Sequence, residues 1–448
     1  MRGSRTFKGG SYPLHKIHEG KPLTENAAIE PLAPKERVRI PMSQHIGAPA
    51  KPIVEEGEPV LMGQVIAEAQ GFVGAKIHAS VSGRIRRIKS IVGINGKPVQ
   101  AIVIDNDFKD EAAYMPACDV MSMPKEDVLE RIKQAGIVGM GGATFPTHIK
   151  LNPPEDKNVD ILLINAAECE PFLTADHRLM LEHPECIVRG IRAEMHALGV
   201  EKAIVGIETN KPDAISMIEK ACAGKGIEVQ PLKTKYPQGS EKQLILSITG
   251  RMVPSGGLPA DVGVVVSNIA TVKAVGDAFY NGAPLIERVM TVTGAVKTPK
   301  NLLVRIGTPL HEVVDYVGGF SSEPLKIISG GPMMGLPVPT LDCVVTKGTS
   351  GLLVLDKQYT KVEKESNCIQ CGKCADACPV YLMPMVLQAS ALKEDFERAE
   401  EYSALDCINC GNCSYVCPAK RPISQRIQFA KEQLLLNRLK EKEKKERD

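Results

Sequence analysis

Between about residues 36 and 105, apolar and polar residues alternate in short runs broken by Gly and Pro. Arg37-Val-Arg-Ile-Pro41, Pro59-Val-Leu61, Gln64-Val-Ile-Ala67, Lys76-Ile-His-Ala79, Gly83-Arg-Ile-Arg-Arg-Ile88 and Gln100-Ala-Ile-Val-Ile104 each read as a strand. Their close spacing predicts a small barrel or sandwich. From Pro124 the period lengthens. Pro124 to Gly136 reads as an amphipathic helix ended by glycine. A buried strand follows, Val159-Asp-Ile-Leu-Leu-Ile-Asn165. Then come a helix at about 176–198, a strand from Lys202, a helix at about 211–223 and a strand at about 227–232. This alternation predicts a partly parallel sheet covered by helices, with ligands gathered at the carboxyl ends of its strands. Asn165 through Glu170 stand at one such end. Strand, strand and helix recur at Val289–Val296, Asn301–Pro309 and Leu310–Gly319.

The remaining stretches are punctuation. Residues 1–30 are polar and irregular, and Phe7-Lys-Gly-Gly10-Ser-Tyr-Pro13 within them reads as an extended arm packed on another part of the protein. Ile327-Ile-Ser-Gly-Gly-Pro-Met-Met-Gly335 is a Gly-rich turn. A linker with some freedom is expected at about 340–365. Glu432 to Asp448 is highly charged and reads as an exposed helix or a disordered tail. No apolar run approaches the ~18 residues of a membrane span, so the chain is expected to be soluble or peripheral. Its 55 Lys+Arg against 53 Asp+Glu leave no nucleic-acid footprint.

Of 13 cysteines, eight fall near the end of the chain in a duplicated pattern. Cys368, Cys371, Cys374 and Cys378 repeat as Cys407, Cys410, Cys413 and Cys417, each quartet followed by proline. This is C-x2-C-x2-C-x3-C-P, the spacing of two-cluster ferredoxins, in which the fourth cysteine crosses to the other cluster. The predicted [4Fe-4S] ligand sets are Cys368, Cys371, Cys374 and Cys417, and Cys407, Cys410, Cys413 and Cys378. C-x2-C pairs also bind zinc; duplication and the prolines favour cubanes. Lys373, Lys420 and Arg421 lie beside the ligands, where they would offset cluster charge. The other five cysteines show no pairing pattern, which points to a reducing, cytosolic compartment.

Gly139-x-Gly141-Gly142-Ala-Thr-Phe145-Pro-Thr147 is the second informative stretch. Its glycines let backbone approach a flat or phosphorylated ligand, but it follows a helix and lacks the GxGxxG spacing of a Rossmann loop. With Asn165-Ala-Ala-Glu168-Cys-Glu170-Pro171, Tyr236-Pro-Gln-Gly239-Ser-Glu241 and Asn268-Ile-Ala-Thr271, in that order, it resembles the FMN- and NADH-binding subunit of respiratory complex I. Residues 56–83 resemble a biotinyl/lipoyl-type hybrid barrel, with Phe72 where a carrier has its lysine, so a docking role is expected. Residues 285–320 resemble a soluble-ligand-binding β-grasp (SLBB) insert. Together with the Phe-Lys-Gly-Gly arm and the two quartets, these features resemble the RnfC family, the NADH-side subunits of Rnf ferredoxin–NAD oxidoreductase complexes. The resemblance covers essentially the whole chain apart from the charged tail.

That resemblance implies a multidomain α/β and α+β protein. The expected units are an arm and barrel-sandwich hybrid at 1–120, an FMN/NADH-binding α/β domain at 121–284 and an SLBB domain with its Gly-rich turn at 285–345. A linker and two-cluster ferredoxin-like helical domain at 346–430 and a charged tail at 431–448 complete them. It implies FMN and two [4Fe-4S] clusters as cofactors and NAD(H) as substrate. Its implied partners are Rnf-type membrane subunits and a ferredoxin-like subunit at the cytoplasmic face of the membrane, with Na+ or H+ moved by those partners. In the flavin pocket it implies Gly139, Gly141 and Gly142 close to FMN, Lys150 at the flavin phosphate and Asn165 at the isoalloxazine edge. Gly239, Asn268 and Thr271 would complete the pocket, Phe145 would stack on the nicotinamide, and Glu168, Glu170 and Glu241 would serve as nucleotide-site carboxylates. The chain departs from complex I at Ser240 and Ala167, each standing in place of a carboxylate. Blander roles are a core aromatic for Phe145, loop carboxylates for Glu168 and Glu170, and a helix cap for Asn268. A soluble corrinoid (cobalamin) reductase and a scaffold subunit without nucleotide binding are the competing readings.

Overall fold

The structure, a computed structural model, describes residues 3–12, 20–360 and 363–447. Pro13 at the end of the arm, Lys361 and Val362 in the expected linker, and Asp448 of the tail lie outside them.

Alternation folds the first unit. A four-stranded antiparallel sheet runs in the order Arg37–Pro41, Pro98–Asn106, Gly83–Val92, Pro59–Val60, and a three-stranded one joins Lys51–Pro52, Val65–Glu68 and Ile77–His78. Val38 and Ile40 point inward with Ile102 and Ile104, their cross-strand partners, while Arg37 is exposed. Phe72 stands 84% exposed between the second and third strands of the smaller sheet.

The second unit is a parallel sheet in the order Ile227–Leu232, Ala203–Glu208, Ile161–Ala166, Val264–Asn268. Its inner strands are buried on both faces and accordingly apolar along most of their length. The chain winds outward from Ile161–Ala166 on one side and returns to its other side as Val264–Asn268. The order therefore reverses between these two strands, which makes a crevice at their carboxyl ends. The helix expected at about 176–198 is two, Ala175–Glu182 and Pro184–Leu198, broken at His183 because proline disfavours a helical residue before it. Helix Pro184–Leu198 lies against helix Ile269–Tyr280. A Cβ on Gly190 would stand 1.7 Å from the Val272 carbonyl oxygen, so only glycine permits this approach.

The third unit is a six-stranded mixed sheet backed by helix Leu310–Tyr316. Two of its strands come from outside the expected 285–345 boundary. Ile29–Leu32 pairs in parallel with Lys300–Arg305, so part of the N-terminal region is a β-strand and not irregular. Gly351–Leu355 is fully buried and pairs with both Glu287–Gly294 and Lys326–Ser329. The apolar run Gly-Leu-Leu-Val-Leu therefore takes much of the expected linker at 340–365 into a core, leaving a short connection to the cysteines.

The last unit packs short helices at Lys373–Asp376 and Asn412–Tyr415 with Pro384–Leu392, Phe396–Glu401 and the long Ile423–Arg447. Ile423, Ile427, Ala430 and Leu434 bury one stripe of that last helix, so the expected boundary at 430/431 falls inside a continuous helix. Among the described residues no helix is long and apolar enough to cross a membrane.

Candidate functional site

A cleft of about 1050 Å³ opens at the crevice between strands Ile161–Ala166 and Val264–Asn268. Gly141, Gly142, Asn165, Glu168, Glu170, Gly239 and Asn268 line it. Their elements explain why. Asn165 and Asn268 are register partners at the carboxyl ends of neighbouring strands. Asn268 accepts from the Ala270 N–H at 2.9 Å and so caps helix Ile269–Tyr280, while its Nδ2 donates to Asp176 at 2.9 Å. The capping role and the place in the cleft coincide. Asn165 Nδ2 donates to the Gly239 carbonyl at 2.6 Å, which joins two of the sequence motifs directly.

Gly139, Phe145, Lys150, Glu241 and Thr271 stand outside the lining. The Gly139 N–H donates to the Phe145 carbonyl at 2.8 Å, closing the Gly-rich loop at its neck. Thr271 Oγ1 accepts from the Met140 N–H at 2.9 Å and holds the loop from behind. Lys150 Nζ donates to the Val266 carbonyl at 3.0 Å and to Glu241 at 3.3 Å. These groups brace the loop and the strand beside it.

The loop after Asn165 is held by cations that no local motif announced. Lys21 Nζ donates to the carbonyls of Glu168, Glu170 and Leu173 at 2.8, 3.0 and 2.5 Å. Lys211 Nζ donates to the Ala167 carbonyl at 2.8 Å. Glu168 takes a left-handed φ of 47° in this loop. Burial pushes its carboxyl up to about 7, opposed by Lys21. Burial also pushes Glu170 to about 7, although its oxygens accept the Met333 and Met334 N–H groups at 3.1 and 2.9 Å. Glu170 thus fastens the Gly330–Gly335 turn over the cleft. A Cβ on Gly331 would stand 2.2 Å from its Oε2.

The far wall belongs to other units. Gln44, His45 and the Gly93–Pro98 hairpin of the barrel line the cleft, as do Arg288 and Thr346–Ser350 of the β-grasp unit. Arg288 follows Glu287 at the head of the run Val289-Met-Thr-Val-Thr, and nothing in that local pattern marks it for the cleft. The floor suits a flat cofactor. A Cβ at Gly141 would lie 2.9 Å from Asn268, and one at Gly239 3.2 Å from Cys169 Sγ, so side chains there would fill the space.

The cysteines come together in the crossed arrangement. Cys368, Cys371, Cys374 and Cys417 line one small cavity. Cys378 is close enough to Cys407, Cys410 and Cys413 that their charges act on one another. Gly372 and Gly411 both take φ 78°, and Gln370 and Asn409 take 55° and 54°, so the backbone repeats the duplication. Burial pushes the Cys410 thiol up to about 11, and a buried group of thiolates needs a cationic core to neutralise it. Two of the three cations expected to offset cluster charge are already paired, Lys420 with Glu363 at 2.7 Å and Arg421 with Glu365 at 3.1 Å. Lys431, which donates to the Cys407 carbonyl at 2.7 Å, stands beside the other quartet.

That quartet is docked on the cleft's unit. Tyr236 Oη donates to the Cys410 carbonyl at 2.8 Å, and Gln243 Nε2 to the Pro379 carbonyl at 3.1 Å. The arm lies between the two bodies. Ser11 and Tyr236 exchange backbone bonds at 2.8 Å, Gly10 N–H donates to the Ala377 carbonyl at 2.9 Å, and Ser11 Oγ donates to Asn412 at 2.6 Å. Met333, held by Glu170, packs its carbonyl against Gly411.

Comparison with known proteins agrees with this division. Residues 5–109 match the RnfC barrel sandwich hybrid domain, 132–277 the Nuo51 FMN-binding domain, 289–337 the SLBB domain and 367–420 the 4Fe-4S dicluster domain. The chain is 51% identical over 431 residues to the C component of the proton-translocating ferredoxin:NAD(+) oxidoreductase complex of Clostridium ljungdahlii, covering 95% of this chain and 93% of that one. It is 47% identical to the C component of the Na(+)-translocating ferredoxin:NAD(+) oxidoreductase complex of Acetobacterium woodii, over 97% of this chain and 98% of the relative. It is 44% identical to the C component of the ion-translocating oxidoreductase complex of Rhodobacter capsulatus, over 96% and 83%. An NAD+-reducing [NiFe]-hydrogenase shares the fold at a TM-score of 0.51 and 20% identity, covering 71% of this chain and 68% of its own.

Proposed function

Because this chain belongs to the RnfC family of ion-translocating ferredoxin:NAD(+) oxidoreductase complexes, we propose that its cleft is where NAD(H) meets FMN and that the docked quartet holds the first cluster to receive electrons. The chain is an oxidoreductase subunit working with FMN, two [4Fe-4S] clusters and NAD(H). The soluble corrinoid reductase loses its ground, since relatives matching almost the whole chain are subunits of an ion-translocating complex.

FMN, when bound, exchanges a hydride with nicotinamide and single electrons with a cluster, and the protein supplies position and electrostatics. Gly141, Gly142 and Gly239 leave the backbone bare for the ring. Asn165, fixed by the Gly239 carbonyl, offers its remaining surface to the ring edge. Glu168 and Glu170, raised to about 7, are partly neutral near that pH and so repel a nucleotide phosphate less than free carboxylates do. At about 1050 Å³ the cleft stands at the upper end of the ~300–1,000 Å³ of ligand sites, and its barrel wall is the side left for the nucleotide.

The observation that carries the reading is the bond from Tyr236 to the Cys410 carbonyl, with the arm beside it. It joins the flavin unit to the ligand loop of one quartet. Cys378, Cys407, Cys410 and Cys413 would hold the cluster nearer the flavin. Cys368, Cys371, Cys374 and Cys417 would hold the outer one. Exposed Cys368, Cys371 and Ile369 suit a ferredoxin-like partner subunit there. Membrane subunits at the cytoplasmic face of the membrane would complete the complex and move the coupling ion. Anaerobic addition of NADH to protein loaded with FMN and clusters tests this. Flavin bleaching followed by cluster EPR signals is expected; unbleached flavin in loaded protein would refute it.

A further inference from the structure

From the arm between the flavin unit and the docked quartet, a chain of hydrogen bonds reaches a ligand sulfur. Ser11 Oγ donates to Asn412 Oδ1 at 2.6 Å, and Asn412 Nδ2 donates in turn to Cys410 Sγ at 3.7 Å. Asn412 is 0% exposed, so water does not compete for its amide. A thiolate accepts and has no proton to give, so the amide must turn its N–H to the sulfur and its oxygen to the serine. The Ser11 hydroxyl then has to donate to that oxygen. Each orientation fixes the next.

Ser11 is itself held from both sides. It exchanges backbone bonds with Tyr236 at 2.8 Å, and the Gly10 N–H beside it donates to the Ala377 carbonyl at 2.9 Å. Upstream, Phe7 is buried, with Lys235 Nζ 4.3 Å over its ring and donating to its carbonyl at 2.8 Å. A Cβ on Gly9 would stand 2.7 Å from the Cys378 carbonyl oxygen, and one on Gly10 2.5 Å from that of Tyr236, so the paired glycines press the arm onto both bodies. At the matched position of the outer quartet, after Gly372, stands Lys373, exposed and without an amide to turn. There Cys368 Sγ accepts the Gln370 N–H at 3.4 Å, a bond made by the loop's own backbone.

Hydrogen bonds to the ligand sulfurs are one lever on a cluster's potential. Taking up one electron makes a cluster and its thiolates more negative. A donor at sulfur therefore stabilises the reduced form more and raises the potential. We propose that Ser11 is a positioning residue for the docked cluster: its hydroxyl aims the Asn412 amide at Cys410 Sγ and so raises that cluster's potential. The proposal rests on Cys378, Cys407, Cys410 and Cys413 holding a cluster. It makes the N-terminal arm, remote in sequence from every ligand, part of the electrostatics of one cluster and not of the other.

The test is a redox titration of the full chain loaded with FMN and both clusters, each cluster followed by EPR. Cys371→Ala, which keeps only the docked cluster, tells the two signals apart. Wild type, S11A, S11T, N412L and the S11A/N412L double variant are compared. S11A should lower the docked cluster's reduced-to-oxidised ratio at a fixed potential by about two- to tenfold, tenfold being about 59 mV for a one-electron couple. The outer cluster should not move. S11T keeps the hydroxyl and should restore the wild-type potential. N412L should shift the same cluster at least as far, and S11A should add nothing in that background, since both act through one bond. If N412L fails to assemble its clusters, S11A against S11T still decides. An unshifted docked cluster in S11A, an equal shift in S11A and S11T, a shift of both clusters, or full additivity in the double variant overturns the proposal and leaves Ser11 a fastener of the arm. A Cys410→Ala chain that keeps both clusters overturns the ligand assignment itself.

Discussion

The two cysteine quartets have the same spacing and the same left-handed turns, yet their surroundings differ. Cys378, Cys410 and Cys413 are buried and Cys407 is half-buried, whereas Cys368 and Cys371 are exposed, Cys417 is half-buried and only Cys374 of that set is buried. Equivalent neighbours follow suit. Asn412 is fully buried where Lys373 is exposed, and Pro379 is buried where Pro418 is exposed. Local sequence made two alike ligand loops; the flavin unit and the arm, by covering one, gave them different surroundings. A cluster's potential follows burial, nearby charge and hydrogen bonds to its ligands, so identical motifs need not make identical clusters.

The largest effect should come from removing one ligand at a time. Cys413→Ala and Cys371→Ala should each lower iron from about eight to about four atoms per chain. Only Cys371→Ala should leave NADH able to reduce the remaining cluster while abolishing delivery to an external acceptor protein.

The next separates the flavin unit from the cluster unit by pH. Burial pushes Glu194, at 0% exposure, up to about 8, with the Ser267 hydroxyl and Lys150 opposing. A carboxyl whose folded value is raised stabilises fully below its unfolded value, ~4.3. That stabilisation is lost as pH rises through about 8. Melting followed by flavin fluorescence should therefore fall as pH rises across that window, and Glu194→Gln should flatten the fall by an amount on the order of a few kcal/mol. On the cluster side Glu365, beside Arg426 and Arg421, is held below its usual range, so its contribution runs the opposite way and is lost in acid.

Smaller effects compare matched positions. Gly411 and Gly372 share φ 78°, but an added Cβ at Gly411 lies 3.1 Å from the Met333 carbonyl, and at Gly372 it meets nothing within 4 Å. Alanine at either costs about 1–2 kcal/mol for the left-handed backbone; Gly411→Ala should cost more and should also perturb flavin binding, measured by chemical denaturation and flavin retention. Tyr236→Phe removes one buried bond to Cys410, worth about 1 kcal/mol. It should shift the potential of one cluster only, as read by redox titration.

Much of this was legible because local rules decide it. The strand Ile227–Leu232 and the helix Pro212–Cys222 fall where their periodicity put them. Asn165 and Asn268 read as candidates from their motifs, and both prove to end strands at a switch point. What escaped depended on distant pairing. Ile29–Leu32 and Gly351–Leu355 become strands because the β-grasp sheet offers them edges and a core. Lys21, Arg288 and the barrel hairpin reach the cleft from units far away in sequence, and no local spacing encodes that. Lys150 Nζ bonds the Val266 carbonyl and the Phe145 carbonyl closes the Gly-rich loop, contacts that the motifs alone did not announce.

The most direct test is rapid mixing of NADH with FMN-loaded Cys413→Ala protein, freezing samples in the first turnover and recording EPR of the surviving cluster. If the docked quartet is the first acceptor, flavin bleaches at the wild-type rate while the outer cluster stays oxidised through that turnover. Wild-type reduction of the outer cluster in this variant would contradict the order and place the outer quartet next to the flavin.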